Sequence, residues 1–442
     1  MRRVNLAVFA SILFLSASAF AADNAPQPLT LGEAQHIALA NHPQIKESDL
    51  NVKSSEEDIT AARSGYYPQV SGNAVRAFAD PNTRIAATSG LNNPTVLDRA
   101  SAGVGISQLI TDFGYTGALV DASKAALESQ KQRADLSRAA VLLGVTRAYY
   151  DVLRAQALLK VAQGTLETRQ RLLDQVSSLR NVKMKSDLDL SLANQGINDA
   201  RLLLLKAQNN HDDAMAELSE ALGYGETHVF TLTDDGKVAP PAGTVESLQE
   251  TALRNNPELA ALQSDYDASR KEAEAAGRKF FPTVSAVGFA GDTPVRTADQ
   301  HIDANYATGG VNISIPIFTG DKLTAEADKA KYHAEALRMR IEIRRNTLIR
   351  DIHTAFDSVQ TAYKNIALTG EMHKNTSQSL TLTQARYDIG KSSIVDLSQA
   401  QLAETQAAVA ETDAAYDYLT QQALLAYAVG DFSGDWKTAI DR

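Results

Sequence analysis

The sequence predicts a mainly α-helical α+β fold in which one helix–helix–strand–strand–helix–helix unit is written twice. Three observations predict it. Two stretches of the 442-residue chain, Gly114–Leu222 and Gly320–Val429, contain no proline and little glycine. Short segments recur at constant spacing, the clearest being Ala38–Ile45, which matches Ala252–Leu259 after 214 residues. Two runs, Ala102–Ile110 and Gly310–Ile317, alternate between apolar and polar or small residues.

The N-terminus reads as a secretory leader over residues 1–21. Arg2 and Arg3 are its positive end, Val4–Leu15 its apolar core and Ala19-Phe20-Ala21 its cleavage site. The apolar run is shorter than the roughly 20 residues a membrane-spanning helix needs, so the segment is set aside from the fold. There is no cysteine, which excludes disulfides, thiolate metal ligands and a lipid anchor on a cysteine after the leader. The formal net charge of −10 becomes more negative once Arg2 and Arg3 leave, and this argues against nucleic acid as a partner. Elsewhere no stretch approaches 18 consecutive apolar residues. Any membrane-embedded part must then be a β-barrel, because only helices and closed barrels satisfy the backbone in lipid.

The first repeat spans 22–223. A short helix, Leu31–Asn41, stops at Asn41-His42-Pro43. Pro43 then occupies the first position of the next helix, where its missing N–H costs nothing. That helix ends before Tyr66-Tyr67-Pro68, and strands follow at about 66–79 and 100–112, joined by a polar, turn-rich loop. Long helices are predicted over about 115–181 and 186–222. The first carries a seven-residue repeat, Val145, Val152, Leu159, Leu166 and Leu173. Three residues after each come Ala148, Ala155, Ala162, Arg169 and Val176. A sustained heptad seam packs helices along their length, and alanines bring the backbones close. At 1.5 Å per residue the helix runs roughly 100 Å, far beyond an ordinary globular helix.

Residues 224–244, with Asp234-Asp235-Gly236 and Pro240-Pro241, read as an irregular linker. The second repeat spans 245–430, with strands at about 281–290 and 306–318 and long helices at about 321–389 and 393–429. A short tail, 431–442, ends the chain. The match of Tyr66–Ser71 to Phe280–Ser285 keeps the spacing of 214, whereas Val104–Ser107 to Val311–Ser314 and Leu188–Ser191 to Val395–Ser398 fall 207 apart. The seven-residue difference belongs in the loop after the first strand.

Strict alternation gives each strand one apolar and one polar face. In a soluble sandwich the apolar face is core; in an outer-membrane barrel it meets lipid around a polar lumen. The strands alone allow both. If they enter lipid, four cannot close, and an open edge leaves unpaired backbone groups. About eight strands are filled by side chains, so three chains and twelve strands are the smallest set that leaves a lumen, with the helices forming a matching tube.

No chemistry is legible. The eight histidines, among them His36, His211, His333 and His373, do not pair at metal-ligand spacing. Neither a glycine-rich phosphate loop nor a Gly-x-Ser-x-Gly elbow occurs. Neither an enzyme nor a cofactor is expected. The competing class is a non-pore periplasmic coiled-coil spacer, which would not need the duplicated hairpins with alternating faces.

The duplicated unit, the Asn-x-Pro breaks, Ser107–Gly114, Ser314–Gly320 and Tyr387–Asp396 together resemble the TolC-like outer-membrane factors, over nearly the whole mature chain. The resemblance implies an α+β membrane protein that forms a homotrimer. Its twelve-stranded barrel would lie in the outer membrane of a Gram-negative bacterium, on a long α-helical barrel crossing the periplasm. It further implies the passive exit duct of a tripartite efflux or type I secretion system, docked through a periplasmic adaptor (membrane fusion) protein. The inner-membrane pump would be of the RND, ABC or MFS type. Its periplasmic mouth would be closed by inward coiling of the helix tips.

By position, the resemblance makes Tyr387 a gate tyrosine, Asp189 its acidic partner and Asp396 the first of two lumen aspartate rings. Three departures stand out. Ser392 occupies the place of a gate arginine, with Lys391 beside it as a substitute. Gln399 occupies the place of the second aspartate. Val182-Lys183-Met184 lacks the glycine of the Ile389-Gly390 tip, so the two tips, the expected adaptor contacts, are predicted to differ. Physically, an aspartate repeated three times around a narrow axis favours cations. Asp189 and Asp396 also follow serine-rich turns, where helix N-termini favour acidic groups.

Overall fold

In the computed structural model, the described residues are 28–78, 99–234, 238–292, 295–296, 301–302 and 305–430. The leader, the first inter-strand loop, part of the second and the C-terminal tail lie outside them. Each half of the chain opens with a capped helix pair. After the two-residue strand β1 (Pro28–Leu29), Thr30 caps α1 (Leu31–Asn41) in a reciprocal box with Glu33. His42 ends α1 and its Nδ1 accepts from the Gln44 N–H at the start of α2 (Pro43–Arg63). A single 3₁₀ turn at Ser64–Tyr66 leads into the strands β2 (Gln69–Ala77) and β3 (Arg99–Thr111).

The rods follow. The helix α3 (Tyr115–Asn181) has 67 residues and returns as α4 (Asp187–Ala221). A two-residue strand β4 (Thr231–Leu232) lies in the linker. The second half repeats the plan with α5 (Val245–Asn255), α6 (Pro257–Arg278) and β5 (Thr283–Asp292). The short β6 (Val295–Arg296) and β7 (His301–Ile302) come next, then β8 (Asn305–Ser314). The rod α7 (Lys322–Asp388) also has 67 residues, and α8 (Ile394–Val429) closes the described chain.

The sheet is an antiparallel array in the order β2-β3-β5-β8. β6 and β7 extend the β5–β8 hairpin in unchanged register, since Arg99 pairs with Val295 and Val295 with Ile302. Ile110 forms a bulge against β5, between Leu109 and Thr111. The second strand of the second half, expected to reach Phe318, ends at Ser314. Pro316 has no N–H to donate to a ladder, so Ile315 and Ile317 lie beyond the pairing. Cross-strand partners share a face, and the register separates a mainly aliphatic face from a mixed one, which carries Val75, Val287 and Phe289 among its polar residues. Val70, Val104, Ile106, Val311 and Ile313 fall on one face and are all exposed. Gln69, Ser71, Asn73, Ser107, Ser285 and Asn312 fall on the other.

Both strand-to-rod turns use two consecutive left-handed residues. They are Phe113 (φ 54°) and Gly114 (φ 94°) in the first half, Gly320 (φ 60°) and Asp321 (φ 63°) in the second. The backbone is the same while its glycine has moved by one place. In the first turn Asp112 is buried and accepts from the Gly114 and Thr116 N–H groups.

Along α3 the buried seam runs through the small residues. Ala148, Ala155, Ala162 and Val176 are all buried. Of the other row only Val145 and Val152 are, while Leu159, Leu166 and Leu173 are half-buried. Close helix approach at alanine leaves the larger row flanking the contact rather than filling it. α3 packs on α4, α6 and α8, and α7 on α8 and α6.

The linker is more ordered than its composition predicts. β1 and β4 pair in parallel, Pro28 with Thr231 and Leu29 with Leu232. The Tyr149 hydroxyl lies 2.8 Å from the Leu29 carbonyl and 2.6 Å from that of Thr233, its proton shared between them. Tyr416 donates to Asp234 at 3.0 Å, and Tyr418 donates to the Ala239 carbonyl. Burial beside Asp234 pushes the Tyr416 phenol up to about 12.

Candidate functional site at the hairpin ends

The residues singled out in the sequence gather where α3 turns into α4 and α7 into α8. Both rods end in the same motif. The Lys183 N–H donates to Arg180 O (2.9 Å) and Met184 N–H to Leu179 O (2.8 Å); Gly390 N–H donates to Tyr387 O (3.0 Å) and Lys391 N–H to Arg386 O (2.8 Å). This is the paired Schellman bonding that satisfies the last carbonyls of a helix. It needs a left-handed residue, and Lys183 (φ 64°) adopts that conformation as Gly390 (φ 74°) does. The two tips therefore share this backbone bonding, and they differ in the residue that adopts the left-handed conformation, lysine in one and glycine in the other. Val182, Met184 and Ile389 are exposed, presenting an apolar surface at the extremity.

Both return helices start with capping boxes. Asp189 Oδ2 accepts from the Ser186 N–H (2.9 Å) and hydroxyl (2.8 Å), while the Asp189 N–H donates to Ser186 Oγ. Asp396 and Ser393 repeat this, and Ser392 adds its hydroxyl to Asp396 Oδ2 at 3.1 Å. The serine backbone N–H is the main reason that both carboxyls are held below the ordinary aspartate range. Ser392 is thus a partner of Asp396. Gln399 stands one turn after Asp396 on the exposed side of α8, opposite the buried Ile394, Leu397 and Gln401. Lys391 is exposed, and its carbonyl accepts from Arg386 at 3.5 Å.

Tyr387 is 2% exposed and packs in a cluster with Leu172, Val176, Ala193, Ile394 and Leu397. Its hydroxyl and Asp189 are not bonded in the single chain; the hydroxyl has no hydrogen-bond partner among the described residues. What lies over its ring instead is the Lys185 ammonium, 3.9 Å from the centroid. The two hairpins are further joined by Gln175, which donates to Asp388 at 3.1 Å.

Sequence reasoning also passed over a polar layer above the tips. Arg169 interrupts the small-residue row, and its guanidinium donates to the buried Gln401 and, at 3.5 Å, to the Ser398 carbonyl. Thr165 and Thr405 meet at 3.3 Å. Between Glu411, bonded at Nδ1, and Glu404, 3.4 Å from Nε2, sits His373. Its two carboxylates oppose each other across the ring, so the three cannot share one metal ion. Among the described residues no group of histidines and carboxylates can hold a metal. The signal for this layer was the arginine itself, at a position where its neighbours in the repeat are alanine and valine.

No helix among the described residues is long and apolar enough to cross a membrane. An open sheet with one exposed apolar face, carried on two long helical hairpins, is the architecture of an outer-membrane protein with a periplasmic helical body. The outer membrane efflux protein family matches residues 35–224 and 248–431, and the chain belongs to that family as a TolC-like outer-membrane factor. It is 23% identical over 431 residues to outer membrane protein TolC of Escherichia coli K12, covering 95% of this chain and 85% of TolC. It is 23% identical over 448 residues to the alkaline protease secretion protein AprF of Pseudomonas aeruginosa, covering 97% of this chain and 89% of AprF. The fold is similar to the CmeC outer membrane channel of Campylobacter jejuni, with a TM-score of 0.76 at 17% identity over 99% of this chain and 97% of CmeC. The relatives are outer-membrane efflux and secretion proteins, and the location is the outer membrane.

Proposed function

We propose that the protein is the passive exit duct of a tripartite efflux or type I secretion system, closed at its hairpin ends. The observation that carries this is the sheet: an exposed aliphatic face, an opposite face that holds most of the polar residues, and outer edges at β2 and β8 that no described strand covers. In lipid such edges must be paired. Three copies supply twelve strands, with the polar face lining the bore and the apolar face meeting lipid. The rods of three copies then form the helical barrel. In this reading residues 22–223 and 245–430 are the repeats, 224–244 joins them and residues 1–21 are removed.

The tips follow from the same arrangement. Asp396 and Gln399 lie on the exposed side of α8 and face the bore, so Asp396 contributes a ring of three carboxylates. Val182, Lys183, Met184, Ile389 and Gly390 form the rim that meets a periplasmic adaptor, with an inner-membrane pump of the RND, ABC or MFS type behind it. The family relationship supports these partners, and no enzymatic step is assigned.

The test is the mass of the protein extracted in mild detergent, measured by light scattering after envelope fractionation. About three chains, confined to the outer-membrane fraction, is the expected result. A periplasmic monomer or dimer would instead establish a non-pore coiled-coil spacer.

A further inference from the structure

We infer that Lys185 is a gate-positioning residue, and that it holds the hairpin ends together through the face of the Tyr387 ring. The inference rests on the proposed gate and names how it is held. Lys185 lies in the turn between the last residue of α3 and the Ser186 cap of α4. Tyr387 lies in the last turn of α7. The 3.9 Å contact therefore joins the end of one hairpin to the end of the other.

Three features make the ring face the working surface. The tyrosine is buried at 2% exposure within an apolar cluster from α3, α4 and α8, so the ring cannot leave without opening that cluster. Its hydroxyl makes no hydrogen bond among the described residues. Lys185 is only half-buried. A cation over an aromatic face is attracted by the ring quadrupole, more strongly where water is partly excluded. The charge also has a minor second use: after the Ser186 hydrogen bonds, which dominate, it adds to the lowering of the Asp189 carboxyl. Moving the first hairpin outward pulls the ammonium off the ring, and moving the second pulls the ring from under the ammonium. Either movement exposes Leu172, Val176 and Leu397 to water.

The experiment uses the full-length protein in planar bilayers, with steady-state conductance as the readout. Lys185→Gln keeps a polar side chain one atom shorter and removes the charge; Tyr387→Leu keeps an apolar side chain of smaller volume and removes the ring. Each is expected to raise the open fraction about threefold to thirtyfold, the range of one such contact. The double variant is expected to open no more than the larger single effect, because the two residues share one contact. Lys185→Arg and Tyr387→Phe, which restore cation and ring, are expected to open it far less than Gln and Leu do. A disturbed turn would leave Lys185→Arg as open as Lys185→Gln and would overturn the inference. So would Tyr387→Phe matching Tyr387→Leu, which would place the closure in the hydroxyl. Tyr387→Leu opening while Lys185→Gln does not would remove Lys185 and leave the gate standing. Unchanged conductance in both would remove the gate at the hairpin ends as well.

Discussion

Lys183 holds a left-handed conformation that costs an L-residue with a side chain roughly 1–2 kcal/mol. Gly390 adopts it freely at the equivalent place in the other tip. Lys183→Gly is accordingly expected to stabilise the first tip by about 0.5–1 kcal/mol, after the extra unfolded-state freedom of glycine is set against it. Amide exchange at Met184, whose N–H closes the motif, should slow about twofold to fivefold; faster exchange would mean the lysine side chain stabilises the turn. Asp396 serves two roles at once, as cap and as proposed ring. Asp396→Ala is expected to loosen the start of α8, by removing the N3 half of its capping box, and to weaken block of the channel by multivalent cations. Single-channel recordings with identical block in both proteins would leave only the cap. The aspartates and the tyrosine were legible because their surroundings in sequence are distinctive. Lys185 was not, because what matters is its contact with a residue 202 positions away, and no local pattern announces it.

At the scale of the elements, proline-free length marked both α3 and α7 nearly to their ends, with heptad spacing as a second signal in α3. Which row of the heptad is buried was less legible: spacing marks two rows, and the close packing that alanine permits decides between them. The His373 layer is a property of the α7–α8 pair and depends on pH. Glu411 first, then Glu404, hold the imidazole above its ordinary range against the effect of burial. Protonation is therefore favoured in the folded state. The stabilisation is complete below about 6.5, the ordinary histidine value, and disappears as pH rises through the raised one. From α3, Glu167, Arg169 and Arg171 line the same cleft, the arginines opposing the charge. The thermal midpoint is expected to fall on going from about pH 6 to 9, and His373→Gln to remove that part of the slope. An unchanged slope would assign the pH dependence to other groups.

At the scale of the whole molecule, the proposed barrel gives the two faces of the sheet different surroundings, lipid on one and the bore on the other. Val104→Lys places a charge on the apolar face and is expected to destabilise the protein in lipid vesicles by about 2–4 kcal/mol if that residue lies near mid-depth. Ser107→Lys, on the opposite face, is expected to change stability much less. Equal effects, read from urea unfolding, would mean that neither face meets lipid. Alternation made the two faces legible in the sequence. It could not choose between a soluble core and a membrane, a choice that needed the exposure of Val70, Val104, Ile106, Val311 and Ile313 together with the family relationship.

The linker strand with its tyrosines acts mechanically as a belt. Tyr149 fastens it to the rod α3, and Tyr416 and Tyr418 fasten it to the return helix α8, tying the first half to the second. From Tyr149 to Asn181 the first rod continues for roughly 48 Å at 1.5 Å per residue. A stiff arm of that length pivoting at a fixed girdle converts a few degrees of tilt into a displacement of several ångströms at its free end. The arm on the other side of the belt, from Tyr115 to Tyr149, is about as long, so the sheet is spared that movement only where the rod bends at the belt instead of rotating rigidly. In the proposed duct, bending of this kind would widen the mouth and leave the strand pairing as it is.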